Sequence, residues 1–231
     1  MQILVTNDDG IEAPGLNVLE QELGQFGRVV VVAPESAHSG CSHQVNTHRP
    51  IRVRKLGEDR YATDGTPADC VRLGLVHLAP EVDWVIAGIN YGGNLGVDIY
   101  LSGTVAAVRE GALSGKPSIA LSQYRRQGIP IDWPRAGVMA AQVLKILRPR
   151  ALEPGAFWNV NFPHLEEEVD PPEVVFCPLD DSQLPMDYDV HDGQFQYRGV
   201  YRQRERTPGL DVEVCFSGRI AVTKVFPSHS E

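Results

Sequence analysis

Cysteine is scarce. The chain has four in 231 residues, and Cys41, Cys70, Cys177 and Cys215 stand far apart with no CxxC pair. That spacing argues against zinc-ribbon and thioredoxin-type centres and predicts reduced thiols. No apolar run approaches the roughly 20 residues of a membrane-spanning helix. No basic segment followed by a long apolar stretch opens the chain. A cytoplasmic protein with no membrane partner is therefore expected. Basic residues are also outnumbered, 21 Lys and Arg against 30 Asp and Glu, for a net charge of -9. Duplex nucleic acid is disfavoured as a partner, because its binding depends on cations that displace counterions. A small phosphate ligand needs only local positive charge and stays open. Neither a GK[ST] Walker loop nor GxGxxG occurs, and no G-x-S-x-G elbow supports a serine triad.

What is present is the composition of an ordinary globular chain, 42% hydrophobic and 22% charged. Its length suits one domain, or one domain with an appended piece. Ile3-Leu4-Val5 reads as a buried strand and runs straight into Asn7-Asp8-Asp9-Gly10. A helix is expected over Leu16 to Phe26, then a strand over Arg28 to Ala33 that opens a polar loop, Glu35 to Gln44. Ile51 to Leu56 reads as an edge strand. Thr66-Pro67-Ala68-Asp69 has the pattern of a capping box with proline at the first helical position. Asp83 to Ala87 is a further core strand leading to a glycine-rich loop, Gly88 to Gly96; Ser102 starts another helix, Ser118 to Leu121 is a strand, Asp132 caps a helix, and Trp158 to Phe162 is a strand. This alternation predicts a doubly wound, mostly parallel α/β sheet. From about Pro171 the character changes. Val174 to Phe176, Gln194 to Tyr201, Val212 to Phe216 and Arg219 to Val222 read as strands without intervening helices. The expected division is an α/β core over 1–170 and an antiparallel hairpin or arm over 171–231.

Three polar loops follow core strands: the one at Asn7 to Gly10, the one around Ser36 to Ser42, and Gly88 to Gly96. Parallel strands bring all three to the carboxyl edge of the sheet, where open α/β sheets bind ligands. Asp8-Asp9 is either an Asp-Gly turn closing the strand or part of an oxygen site for a hard divalent cation. Asn90 and Asn94 lie among glycines that either serve an irregular loop or let a ligand approach bare backbone. Ser102-Gly103-Thr104 caps a helix, and the same geometry offers N–H groups to a phosphate. His38 and His43 are usually read as solvated loop residues, and His191 in the sequence DVHDG as turn chemistry.

The combination of Asn7-Asp8-Asp9-Gly10, Ala13-Pro14-Gly15, Val32-Ala33-Pro34, Gly65 to Val71, Gly88-Ile89-Asn90, Gly93-Asn94-Leu95-Gly96 and Ser102-Gly103-Thr104-Val105-Ala106-Ala107 resembles the SurE family, the stationary-phase survival proteins. The likeness is densest over residues 1–122 and returns at Asn159 to Pro163 and Pro208 to Thr223. It implies a Rossmann-like core, a C-terminal arm exchanged between subunits, a homodimer or homotetramer, and metal-dependent hydrolysis of nucleoside 5′- and 3′-monophosphates. Carried over by position, it implies one Mg²⁺ or Mn²⁺ per subunit on Asp8, Asp9, Ser39 and Asn90, with Asp8 and Asp9 catalytic. Asn94, Ser102, Gly103 and Thr104 would surround the phosphate. Either a water polarised by the metal or an aspartate carboxylate would attack phosphorus. The chain departs from the family at His43, where asparagine is frequent, at Leu101, where tyrosine is common, and at Leu210, where threonine is usual. It stops at Ser228-His229-Ser230-Glu231, without the family's last helix. The alternative function is a nucleotide or phosphate sensor on the same fold that does not turn over.

Overall fold

The computed structural model describes residues 1–165 and 172–226. The expected boundary at 170/171 and the features of the last four residues lie outside the described residues. In chain order the elements are β1 (Gln2–Thr6), α1 (Pro14–Leu23), β2 (Arg28–Pro34), β3 (Val53–Lys55), β4 (Arg60–Thr63), α2 (Pro67–Leu73), β5 (Trp84–Tyr91), α3 (Gly103–Leu113), β6 (Ser118–Gln123), α4 (Trp133–Leu147), β7 (Phe157–Phe162), β8 (Val174–Phe176), β9 (Tyr188–His191), β10 (Gln194–Tyr197), α5 (Asp211–Phe216) and β11 (Ile220–Val225). One sheet runs β3-β4-β2-β1-β5-β6-β7-β11-β8, and β9 and β10 form a separate pair. From β4 through β7 every neighbouring pair is parallel; β3 joins antiparallel to β4 and β11 antiparallel to β7. The doubly wound α/β sheet with an antiparallel hairpin is as the sequence predicts.

Alternation along the strands builds a core on each face. Ile3 and Val5 of β1 pack with Leu16 and Leu19 of α1 and with Met139 and Val143 of α4. Leu4, between them, faces the other way and joins Val71 of α2 and Val105 and Val108 of α3. The capping box starts α2 as expected: Asp69 N–H donates to Thr66 Oγ1 at 3.2 Å, and Thr66 N–H donates to Asp69 Oδ2 at 2.9 Å. Asp132 accepts from Arg135 N–H at the start of α4.

Three readings change beyond Phe162, the first being the strand expected over Gln194 to Tyr201, which ends at Tyr197 before a 3₁₀ turn at Tyr201–Gln203. Val212 to Phe216, expected as a strand, is the helix α5. A five-residue apolar alternation does not separate strand from helix, and here Val212, Val214 and Cys215 are buried in one cluster with Ala221 of β11. The strands after residue 171 also divide. β8 and β11 extend the main sheet, while β9 and β10 stand apart, joined through Asp192-Gly193 with φ of 49° and 76°. Positive φ at both central residues is what a tight two-residue hairpin needs, so the turn expected around His191 is present. β4 goes beyond the sequence expectations.

The sheet order fixes where the chemistry sits. The chain leaves β1 toward β2 on one side and later returns with β5 on the other. The cleft between the carboxyl ends of β1 and β5 is the switch point of the sheet.

Candidate active site

Asp8 and Asp9 leave the end of β1 in a turn made by the buried Asn7. Its Nδ2 donates to Gly10 O at 2.8 Å and its Oδ1 accepts from Gly10 N–H at 3.2 Å. Gly10 has φ of 105°, and a Cβ there would meet Ser36 backbone at 3.3 Å. The turn expected of this stretch is present: Asn7 and Gly10 make it, and it presents both carboxylates.

The two carboxylates have different surroundings. Asp8 is buried, and Thr104 Oγ1 donates to its Oδ1 at 2.5 Å. The backbone N–H groups of Gly103 and Thr104 pull the same way, yet burial outweighs them and raises the Asp8 carboxyl above its ordinary range. Asp9 Oδ2 accepts from Tyr91 N–H at 2.8 Å. Burial, with a smaller push from Asp8, raises its carboxyl to about 6. Both acids are thus short of positive charge.

Asn90 is aimed by an irregularity in β5. The β5–β6 register shifts between Ala87 and Asn90, and Gly88 has φ of 137° where a Cβ would lie 2.3 Å from Leu121 O. Such bulges re-aim side chains beside active sites. Asn90 Nδ2 donates to Gly92 O at 2.9 Å, which leaves Oδ1 as its open acceptor. Ser39 is exposed on the loop after β2. That loop is tied down where His38 N–H donates to Asp8 O at 2.7 Å, Ser42 Oγ to Tyr100 O at 2.6 Å and Thr66 Oγ1 to Gln44 O at 2.6 Å. His43 Nε2 lies 2.8 Å from Glu110 Oε2, and Arg72 holds the other oxygen at 2.7 Å. His43 is therefore an anchor of the loop.

A cavity of about 750 Å³ is lined by Asp8, Asp9, Ser39, Asn90, Asn94 and Ser102 together. Six of the eight expected site residues thus line one cavity. Gly103 and Thr104 do not line it. Expected around the phosphate, they stand behind Asp8: a Cβ on Gly103 would fall 2.9 Å from Asp8 Oδ2, and the Thr104 hydroxyl is taken by Asp8. The N-terminus of α3 solvates a carboxylate, an anion it suits as well as a phosphate. Ser102 caps α3 by accepting from Val105 N–H at 3.1 Å, so its own hydroxyl proton remains to be donated into the cavity.

Several contributors were missed in the sequence. Asn159 and Asn161, two apart on β7 and so on one face, clamp the Asn94 loop. Both Nδ2 groups donate to Asn94 O, at 2.8 and 3.0 Å, and Asn161 Oδ1 accepts from Asn94 N–H at 2.7 Å. One Asn94 amide hydrogen goes to Ser122 Oγ at 2.7 Å; the rest of the amide serves the cavity. The alternating polar positions of Asn159-Val160-Asn161 in an apolar strand were the available signal. The rest of the lining includes Tyr91, Tyr124 and Arg125, and Val200, Tyr201 and Arg202 of the C-terminal segment. That segment is latched by Arg204, whose side chain is 0% exposed and whose Nη1 bonds Asp98 Oδ2 at 2.9 Å. Tyr201 donates its hydroxyl to the same Asp98 oxygen. No local sequence signal pairs residue 98 with 201 and 204.

The family model described as "Survival protein SurE" matches residues 3–182. A Synechocystis relative, named provisionally as a 5′-nucleotidase, is 52% identical over 97% of this chain and 99% of its own length. The 5′-nucleotidase SurE of a Methylobacterium strain is 41% identical, over 96% of this chain and 92% of its own. The crystal structure of the SurE protein from Aquifex aeolicus superposes with a TM-score of 0.88 at 32% identity, covering 100% of this chain and 95% of that one. With the paired aspartates at the switch point, the bulged Gly88-Ile89-Asn90 turn and the α3 cap all in one cavity, the chain belongs to the SurE family.

Proposed function

We propose that this chain is a metal-dependent nucleotidase that hydrolyses nucleoside 5′-monophosphates, and 3′-monophosphates, to nucleoside and phosphate. The observation that carries this reading is the pair of carboxyls at the β1–β5 switch point, Asp8 buried and Asp9 half-buried, both raised by desolvation, with the Asn90 amide oxygen open in the same cavity. An anion sensor gains nothing from two carboxylates in its pocket, whereas a hard cation is attracted to them.

Asp8, Asp9, Ser39 and Asn90 would hold one Mg²⁺ or Mn²⁺ per subunit. The fit is chemical: the donors are all oxygen, which suits a hard cation. When bound, such an ion supplies Lewis-acid charge stabilisation at the phosphoryl group. The chain's own residues do the rest. Asn7 and Gly10 fix the direction of both aspartates. Thr104 holds Asp8 in one rotamer, and Tyr91 N–H holds Asp9. The Ser102 hydroxyl and the remaining Asn94 amide hydrogen serve as donors to phosphoryl oxygens, where preorganised donors stabilise developing charge. The wall at residues 199–202 narrows the access of water.

We also read the protein as cytoplasmic, in keeping with the lack, among the described residues, of a helix long and apolar enough to cross a membrane. We assign 1–170 to the catalytic core and 171–231 to a C-terminal arm that also returns β8 and β11 to the main sheet. In this reading the arm carries the contact to a second copy, as homodimer or homotetramer, through the exposed Val190 and Phe195 of the hairpin. Phosphate release from AMP by protein stripped with EDTA, then resupplied with Mg²⁺ or Mn²⁺, tests the activity. Release that returns with the metal is expected, and no release with any divalent metal would favour the sensor.

A further inference from the structure

The cavity is larger than a phosphate and a metal require, and its lining is of two kinds. One kind is carboxylate and amide: Asp8, Asp9 and Asn90. The strand then steps one residue on, to Tyr91, and the chemistry becomes aromatic. Tyr91 is 52% exposed although its backbone is in β5, and it lines the cavity. Arg125, also on the wall, lays its guanidinium over the Tyr91 ring, with Cζ 4.8 Å from the ring centroid. Its Nη1 donates to Tyr91 Oη at 3.4 Å. Trp133 flanks the same ring at 6.3 Å between centroids. Tyr91 is therefore held in one orientation from two sides while half its surface stays open. Its placement relative to the reacting end is fixed as well, because its own N–H is bonded to Asp9.

We infer that Tyr91 and Arg125 form a shelf that takes the nucleobase of the leaving group. This rests on the reading above that Asp8, Asp9 and Asn90 mark the phosphate end. A phosphomonoester anchored there must send its alcohol along the cavity, and one residue beyond Asn90 it meets a tyrosine face and a planar cation. Bases stack on aromatic rings and on guanidinium planes through π faces that every base has. The shelf therefore favours nucleotides over esters without a base, and discriminates weakly among bases. Tyr91 and Arg125 are specificity residues; neither needs to reach the phosphorus.

The test compares AMP with ribose 5-phosphate, which carries an anomeric hydroxyl in place of the base. Tyr91→Ala and Arg125→Ala are expected to lower the ratio of kcat/KM for AMP to that for ribose 5-phosphate by about tenfold, through KM, while Tyr91→Phe retains it. An unchanged ratio in Tyr91→Ala, or an equal fall for both esters, would overturn the shelf. Adenosine, which has no phosphate, provides a second readout on metal-free protein. Saturation-transfer NMR should show adenosine binding to wild type that weakens in Tyr91→Ala, and equal binding to both would count against the proposal. If wild type hydrolyses neither ester with Mg²⁺ present, the phosphate-end reading fails separately, and adenosine binding still decides the shelf.

Discussion

The Asp9 carboxyl binds its proton more tightly in the folded chain than in the unfolded one, because burial raises it from 3.8 to about 6. The stability it contributes is fully present below 3.8 and is lost as pH rises through about 6. In EDTA, urea melts between those values should show stability falling with pH, by on the order of 2 kcal/mol from this group once its partial exposure is allowed for. Asp9→Asn should flatten that slope and leave the metal-free protein more stable than wild type near pH 7. A steeper slope in the variant would contradict the placement. Asp8 and Asp9 were legible in the sequence because adjacency at a strand end is local. Their different partners were not, because Thr104 and Tyr91 reach them from elements 96 and 82 residues away.

At the scale of elements, the site is held by contacts between strands that are distant in sequence. β7 contributes no side chain to the cavity wall, yet Asn159 and Asn161 fix the Asn94 loop that does. Asn161→Ala would strand the Asn94 N–H, at a cost of about 1–3 kcal/mol, and should lower turnover of AMP more than it lowers the melting temperature of the fold would suggest. Circular dichroism melts beside phosphate release check this, and full activity would count against the clamp. The Asp98–Tyr201–Arg204 latch holds the C-terminal part of the cavity lining. Removing one member of a buried ion pair costs about 3–5 kcal/mol, so Arg204→Ala should lower the melting point by roughly 6–20 °C. Helix caps at Thr66, Ser102 and Asp132 were readable because a cap is a four-residue pattern. α5 was not, since its fate was decided by packing against β11, and the latch was not, since it joins segments more than 100 residues apart.

On the scale of the whole molecule, strand order turns three separate polar loops into one cavity. β1 and β5 lie side by side although the paired Leu4 and Val85 are 81 positions apart in sequence, and both strands deliver their carboxyl ends to the same cleft. The alternation of strands and helices made that convergence readable in outline. The return of β11 into the sheet beside β7 was hidden, because a strand's partner is not written in its own sequence. The β9–β10 hairpin stands off the sheet with Tyr188, Val190, Phe195 and Tyr197 exposed. A lone two-stranded hairpin is marginal in water, and an apolar one invites a partner. Val190→Glu with Phe195→Glu should shift the sedimentation coefficient toward the monomer; an unchanged assembly, or a wild-type monomer, would remove the hairpin from that role.

The account depends most on the carboxylate pair. Turnover of AMP by Asp9→Asn beside wild type, at saturating Mg²⁺ and with both proteins shown to be folded, tests it most directly. The account predicts that phosphate release falls by at least about 100-fold, in line with losing a principal electrostatic element of a site. Release near the wild-type rate would contradict it.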